Sequence, residues 1–147
     1  MHPTPVIAMA FRAPVSLDEL NRLSRGTLID HLGIVFTGAG EDWLQATMPV
    51  DERTRQPYGL LHGGSSVVLA ETLGSSAGNL CVDTASQVCV GLEINANHLR
   101  AVRTGVVTGT ARALHVGRTT QVWEIRIENE AGKPVCISRL TLAVVPA

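Results

Sequence analysis

The chain has 147 residues, of which 45% are hydrophobic and 17% charged, a composition typical of one globular domain rather than of a disordered or fibrous chain. Its formal net charge of −1 gives no field that would draw it to nucleic acid or to an anionic membrane. No apolar run approaches the ~20 residues of a membrane span, and the apolar stretch 5–11 lacks the preceding basic residues of a signal peptide.

Cysteine usage indicates a reducing compartment. Cys81, Cys89 and Cys136 are odd in number, form no CxxC pair and lie among apolar residues. This pattern is typical of buried free thiols. We therefore expect a cytoplasmic protein without disulfides.

Two short helices are predicted first. In SLDEL, Ser16 is a candidate N-cap and Glu19 the N3 residue of a capping box. TLIDHLG predicts a second helix that ends at Gly33. Residues 1–15 precede these helices, and we interpret them as an N-terminal extension of a single domain over residues 1–147.

From Ile34 the pattern changes to that of strands, followed by one long helix. In WLQATMPV, apolar residues alternate at a period of two, which predicts a strand with one buried face. The apolar run from about Gly64 to Asn79 is too long for a strand and rich in alanine, leucine and serine, so we predict a helix. Because it is hydrophobic nearly all round, we expect this helix to be buried.

The remainder reads as strands joined by short turns, which favours an antiparallel meander. TQVWEIRIEN alternates between apolar and charged residues, and NEAGK predicts a hairpin turn. VCVGLEINANH alternates so that one face carries Val88, Val90, Leu92, Ile94, Ala96 and His98. Since an apolar sheet face must be covered, we expect the sheet to wrap around the long helix.

Glu71 is the one charged side chain between His62 and Cys81. A lone buried carboxylate costs several kcal/mol unless it is paired or neutralised. It therefore finds partners elsewhere in the fold or acts as a base or nucleophile. An exposed spot on the helix, or a salt bridge between subunits, explains the residue equally well at this point.

The HGG motif at the start of the long helix suggests a second group. Gly63 and Gly64 leave their N–H groups bare at the positive end of the helix dipole, which suits an oxyanion hole; a flexible helix start is the alternative. With Glu71, this predicts attack on a polarised carbonyl by the carboxylate or by an activated water. One helix holds the two groups roughly 10 Å apart, so we expect two antiparallel helices of a dimer to bring them together.

YGLLHGGSSVVLAETLGSSAG, VGLEINANHLR and LHVGRTTQVWEIRI together resemble the hotdog-fold acyl-CoA thioesterases over roughly residues 16–145. The similar branch includes 4-hydroxybenzoyl-CoA thioesterase, 1,4-dihydroxy-2-naphthoyl-CoA hydrolase and the proofreading thioesterase of enterobactin synthesis. The resemblance implies an α+β hotdog fold, with an antiparallel sheet of five to six strands wrapped around one central helix. It also implies dimers whose sheets join, commonly as a dimer of dimers, and hydrolysis of an acyl-CoA, here expected to be aromatic, without a cofactor.

The resemblance also implies roles for particular residues. Glu71 is the catalytic carboxylate, Gly63 supplies the oxyanion N–H, and Ser75 helps to place the attacking water. His62 and Gln56 lie beside the thioester carbonyl. For the substrate, the expected contacts are Val67, Val68, Leu92 and His98 around the acyl group, and Arg118, Thr119, Thr120 and Arg139 around the CoA phosphates.

Several of these assignments have alternatives. From the sequence alone, His98 reads as a core histidine and the Arg118 loop as a solvated turn. Acyl carrier protein is an alternative to CoA as the carrier. A hotdog-type hydratase or dehydratase and a non-catalytic acyl-CoA sensor remain alternative functions, although the chain shows no added DNA-binding segment. A metal site is not expected, because the spacing of the histidines and Glu71 matches no common zinc pattern.

Overall fold

Residues 10–147, the part of the chain described by the computed structural model, form three helices and six strands. The helices are α1 (Leu17–Leu23), α2 (Leu28–His31) and α3 (Gly63–Leu80). The strands are β1 (Val35–Ala39), β2 (Trp43–Pro49), β3 (Gln87–His98), β4 (Val106–Val116), β5 (Thr120–Glu128) and β6 (Pro134–Pro146). All neighbouring strands are antiparallel, in the order β1-β2-β4-β5-β6-β3. The predicted α+β fold, with one sheet around one long helix, is confirmed.

The predicted meander holds for β4, β5 and β6 but is wrong for β3. Strand β3 follows β2 along the chain, yet it pairs with β6 at the far edge of the sheet. Helix α3 carries the chain across the sheet between the two strands. Among the strands of residues 10–147, β3 is therefore an edge strand with one free side.

Close packing holds α3 against the sheet. A Cβ added at Gly74 would lie 2.5 Å from Leu140 Cδ2, and one added at Gly109 of β4 would lie 2.8 Å from Leu73 Cδ1. These distances are too short for real side chains, so the glycines are what lets helix and strands approach. Trp123 is fully buried beneath this layer, and Phe11 stacks on it with ring centroids 6.1 Å apart.

The expectation that α3 is buried all round is wrong. Pairs of buried residues alternate with pairs of half-buried ones along the helix, because only one of its faces meets the sheet. The half-buried face carries Val67, Val68, Glu71, Thr72, Ser75, Ser76, Asn79 and Leu80.

The predicted faces of β3 are also wrong in its first half. The register with β6 shifts between Gly91 and Glu93, so Leu92 is an extra residue in a β-bulge. Because a bulge reverses the alternation, Cys89 is buried before it and Ile94 packs on the core after it. Val90 and Leu92 are 42% and 62% exposed.

The N-terminal helices begin as predicted. Ser16 and Thr27 are the N-caps of α1 and α2, and Gly33 follows α2 at a φ of 72°. Glu19, however, pairs with Arg22 at 2.6 Å. Of the predicted extension, residues 1–9 lie outside the described residues, Ala10 and Phe11 are buried against the domain, and residues 12–14 are exposed. Within residues 10–147, no helix is both long and apolar enough to cross a membrane.

Candidate active site

The start of α3 is held by a buried threonine. Thr54 is 1% exposed, and its carbonyl accepts hydrogen bonds from His62 N–H at 2.8 Å and from Ser65 Oγ at 3.2 Å. Its own hydroxyl donates to Pro49 O at 2.8 Å. The loop before α3 and the first turn of the helix are therefore one connected unit.

His62 caps the helix and changes the predicted donor pair. Its Nδ1 accepts a hydrogen bond from Gly64 N–H at 2.7 Å, which places the imidazole proton on Nε2. The expectation of two bare amides is therefore wrong, because Gly64 N–H is occupied. Gly63 N–H donates to no residue within 10–147.

Gly63 opens onto a cleft of about 360 Å³ at this end of the helix. Three predicted site residues, Gln56, Gly63 and His98, line it. The other lining residues are Leu60, Leu61, Ser66, Leu99, Arg100, Ala101 and Val135. His98 lies against Gly63, since a Cβ added at Gly63 would be 2.9 Å from His98 Nε2.

Gln56 provides a second donor in this cleft. Its backbone N–H bonds to Leu60 O at 2.8 Å and closes a tight turn, while its Oε1 accepts from Tyr58 N–H. The Nε2 amide makes no hydrogen bond to any residue of the described chain. One cleft is thus lined by two residues with unused N–H donors, a backbone amide and a side-chain amide, the kinds of group that form oxyanion holes.

Glu71 lies away from this cleft, on the half-buried face of α3. Its Oε1 accepts a hydrogen bond from Ser75 Oγ at 3.2 Å. Eight residues separate it from Gly63, which corresponds to about 12 Å along the helix and a rotation of roughly 80°. Within one chain, the carboxylate and the unused donors therefore do not face the same atom.

A second cleft of about 360 Å³ lies beside the C-terminal half of α3 and includes Ser75. Its apolar wall comes from Leu20, Leu23, Ile29, Phe36 and Leu80, and its polar wall from Ser24, Ser75, Ser76, Asn79 and Thr84. This second cleft, which we call the helix groove, adjoins the carboxylate through the Glu71–Ser75 hydrogen bond.

The other predicted substrate contacts are scattered over the chain. Val67 and Val68 share the half-buried face with Glu71, whereas Leu92 is exposed at the edge of the sheet. Arg139 is exposed on the outer face of β6, in register with Glu124 of β5. Neither Leu92 nor Arg139 lines either of the two clefts.

Arg118, Thr119 and Thr120 are exposed between β4 and β5, where Thr119 O accepts Val144 N–H at 2.9 Å. The adjoining Gln121 donates to Gly78 O at 3.3 Å. The Arg118–Thr120 loop therefore lies toward the C-terminal end of α3, opposite to the Gly63 end.

No group of three or more histidine, cysteine, aspartate or glutamate side chains within residues 10–147 is arranged to hold a metal ion. The cysteine thiols are free, and burial raises the pKa of Cys81 to about 12. Such thiols are poor nucleophiles at neutral pH, because the reactive form is the thiolate. Glu71 is the one titratable side chain on the half-buried face of α3.

Sequence reasoning missed Arg100 and Asn79. Arg100 lines the Gly63 cleft, and its position two residues after His98 was the available signal. The Asn79 side chain joins α3 to β3, a contact across elements that leaves no local pattern.

The sequence pattern of the thioesterase superfamily matches residues 58–136, a segment that includes Gly63, Glu71 and Ser75. The chain belongs to the thioesterase superfamily. It is 51% identical over 137 residues to the 1,4-dihydroxy-2-naphthoyl-CoA hydrolase of Escherichia coli, covering 93% of this chain and 100% of the relative. It is 53% identical over 137 residues to the proofreading thioesterase EntH of Cronobacter sakazakii, covering 93% and 99%. This thioesterase is accordingly a thioester hydrolase with a hotdog fold.

Solved structures agree with this fold. A mutant thioesterase from Pseudomonas aeruginosa superposes with a TM-score of 0.93 at 56% identity, covering 94% of this chain and 99% of its own. A Staphylococcus aureus thioesterase has been solved as a glutamate-to-alanine and a glutamine-to-alanine mutant. These have TM-scores of 0.80 and 0.79, identities of 35% and 34%, and coverage of 82% and 81% of this chain and 99% and 98% of their own. The two mutated positions lie 15 residues apart.

Because the His62 side chain caps α3, its removal should destabilise the fold. Replacing it with alanine leaves Gly64 N–H without its acceptor, and loss of a capping side chain costs about 1 kcal/mol. We expect His62→Ala to lower the free energy of unfolding in urea by that amount. His62→Asn, which retains a capping acceptor, should stay closer to the parent. Equal stability of His62→Ala and the parent would show that the cap contributes nothing.

Proposed function

We propose that this thioesterase hydrolyses an aromatic acyl-CoA to the free acid and CoA at a site completed by two subunits. One observation carries the proposal. The unused donors of Gly63 and Gln56 share a cleft, whereas the carboxylate of Glu71 lies about 12 Å further along the same helix. A thioester carbonyl needs both kinds of group within hydrogen-bond reach, and a second subunit can supply the missing one.

The proposed reaction uses these groups in order. The carbonyl oxygen of the thioester accepts a hydrogen bond from Gly63 N–H, assisted by the Gln56 amide. Glu71 then removes a proton from a water that attacks the carbonyl carbon, or attacks the carbon itself to form an anhydride that water hydrolyses. In either case the C–S bond breaks, and CoA leaves as a thiolate that takes up a proton. The Ser75 hydroxyl, which donates a hydrogen bond to Glu71 Oε1, orients the carboxylate and the water. No cofactor is needed.

The free edge of β3 supports the two-subunit arrangement. This edge presents unpaired backbone groups with Val90 and Leu92 exposed beside them, a combination that normally needs to be covered. A second copy paired there about a two-fold axis would run its α3 antiparallel to the first. The Gly63 end of one helix would then approach the Glu71 region of the other. A dimer or a dimer of dimers is consistent with this proposal.

The helix groove is the proposed place for the acyl group. It is apolar on the side of Leu20, Leu23 and Phe36, and it presents serine hydroxyls on the side of α3. An aromatic acyl group with hydroxyl substituents matches both walls. Val67 and Val68, one turn before Glu71, extend the apolar surface toward the carbonyl.

The relatives support the proposed roles of Gln56 and Glu71 and the aromatic substrate class. The Escherichia coli relative is named for a hydroxylated naphthoyl-CoA. The mutated glutamine and glutamate of the Staphylococcus aureus thioesterase are 15 residues apart, as are Gln56 and Glu71 in this chain. That equal spacing supports a role for both residues in one reaction.

We place the CoA phosphates near exposed, positively charged arginine side chains. Arg118, with the hydroxyls of Thr119 and Thr120, offers an exposed loop that can bind phosphate oxygens of CoA. His98 and Arg100 line the passage to Gly63, where Arg100 can bind a further anionic group. Acyl carrier protein, which carries the same phosphopantetheine arm, is the alternative carrier. The free cysteines are typical of proteins that function in the reducing cytoplasm.

Glu71→Gln tests the carboxylate. The amide is similar in size but neither removes a proton nor attacks the carbonyl, so we expect kcat to fall by about 10²–10⁴-fold. Hydrolysis of benzoyl-, naphthoyl- and fatty acyl-CoA is the measurement, with release of the CoA thiol followed. The exposed Glu52→Gln serves as the matched control and should retain the parental rate.

The same panel separates the alternatives. Full activity of Glu71→Gln would contradict the proposed mechanism. Tight acyl-CoA binding without turnover by the parent would favour the sensor, and reversible water addition to an enoyl-CoA would favour the hydratase.

Gly63→Pro tests the backbone donor. Proline is tolerated at the first position of a helix, and His62, at φ −68° and ψ 130°, already has the conformation that a following proline requires. Compared with Gly63→Ala, this variant replaces the N–H by the ring Cδ, and both variants add a Cβ beside His98. We expect kcat of Gly63→Pro to lie about 10²–10³-fold below that of Gly63→Ala. Equal rates in the two variants would exclude Gly63 N–H as an oxyanion donor.

A further inference from the structure

The β-bulge in β3 lies directly beside Glu71. Gly91 pairs with Leu142 and Glu93 with Thr141, so Leu92 is the extra residue. Bulges bend a strand, re-aim its side chains and are frequent next to active sites. In this chain the bend brings the backbone of β3, rather than a side chain, to the face of α3 that carries the carboxylate.

The missing side chain of Gly91 leaves the space that the carboxylate occupies. A Cβ added at Gly91 would lie 2.7 Å from Glu71 Oε1, closer than real Cβ atoms approach. The same oxygen accepts the hydrogen bond from Ser75 Oγ at 3.2 Å. The carboxylate is therefore held between a hydroxyl of the helix and bare backbone of the strand.

Asn79 ties this part of β3 to α3. Its Oδ1 accepts Cys89 N–H at 2.9 Å, and its Nδ2 donates to Ser75 O at 2.9 Å. Glu71, Ser75 and Asn79 follow one another at intervals of four residues, which places them on one stripe of the helix. The stripe thus connects the carboxylate, the hydroxyl that orients it and the strand that faces it.

We propose that Gly91 and Asn79 are positioning residues, which fix the carboxylate of Glu71 for attack on the thioester. Gly91 provides the space and Asn79 holds the strand that borders it. The inference rests on the proposed function, in which Glu71 is the base or nucleophile. A Cβ at position 91 moves Glu71 Oε1 from 2.7 Å to an ordinary contact distance, a shift of several tenths of an ångström, and a misplacement of 1 Å costs about 10²-fold in rate.

Gly91→Ala separates this role from a structural one. The atom that must move is the end of a flexible side chain, and alanine is no worse than glycine in a strand, so the melting temperature should stay at the parental value. We expect kcat for the aromatic acyl-CoA that the parent hydrolyses fastest to fall by about 10–10²-fold, with KM little changed. Gly40→Ala is the matched control. Its Cβ would clash with Trp43 Nε1, in the turn between β1 and β2 and away from every proposed site residue, so it should lower the melting temperature and leave kcat unchanged.

A double-mutant cycle tests whether the effect passes through Glu71. Glu71→Asp withdraws the carboxylate by one methylene, so it no longer reaches the space beside Gly91. Adding Gly91→Ala to Glu71→Asp should change kcat by less than about threefold, because contacts that are absent cannot couple. Asn79→Ala, which adds no atom, is the second variant. Because Asn79 also lines the helix groove, KM is not diagnostic, and the expected result is a fall in kcat that is lost in the Glu71→Asp background.

The outcomes distinguish this inference from the proposed function. An unchanged kcat in Gly91→Ala, or an equal loss in the parental and Glu71→Asp backgrounds, would overturn the positioning role while Glu71→Gln still loses activity. Full activity in Glu71→Gln would instead overturn the proposed function. If Gly91→Ala does not fold, an unchanged kcat in Asn79→Ala overturns the inference.

Discussion

The packing of α3 on the sheet determines where every functional group of this thioesterase lies. Gly74 meets Leu140 and Gly109 meets Leu73 at distances that leave no room for a side chain, so the helix has one rotation that fits. In that rotation leucines and alanines face the sheet, and Glu71 and Ser75 face outward. The stability of the core thus dictates which helix residues remain available for chemistry.

The same rigid helix separates the two halves of the chemistry. Gly63 N–H is an unused donor at the helix N-terminus, where the dipole favours negative charge, while Glu71 is two turns further along. A helix of this length cannot bend to join them. In the proposed two-subunit site, a second chain would pair with the free edge of β3, beside the exposed Val90 and Leu92. Catalysis and assembly are then linked, since a protomer alone has donors without a carboxylate opposite them.

Much of the fold followed from periodicity, because strands and helices with one buried face show that face in the sequence. The inward residues of β2 and β5, such as Leu44 and Trp123, were predicted from alternation alone. The bulge at Leu92 could not be predicted in this way, since a single extra residue reverses the alternation without a change in composition. The capping of Gly64 by His62 and the bridge from Asn79 to Cys89 also depend on contacts that only the folded chain creates. In the proposed site, the sequence singled out Glu71 because it is the one charged side chain in an apolar run, whereas its contact with Gly91 depends on where the fold places β3.

Active-site complementation tests the two-subunit site most directly. Glu71→Gln and Gly63→Pro would be purified, unfolded together in equal amounts and refolded, with each variant refolded alone as the control. In a mixed dimer one site carries both substitutions and the other carries neither. Because half of randomly formed two-fold dimers are mixed, we expect the mixture to recover about a quarter of the parental acyl-CoA hydrolase activity. Activity of the mixture no greater than that of the separately refolded variants would contradict it, and would place Gly63 and Glu71 of one chain in the same site.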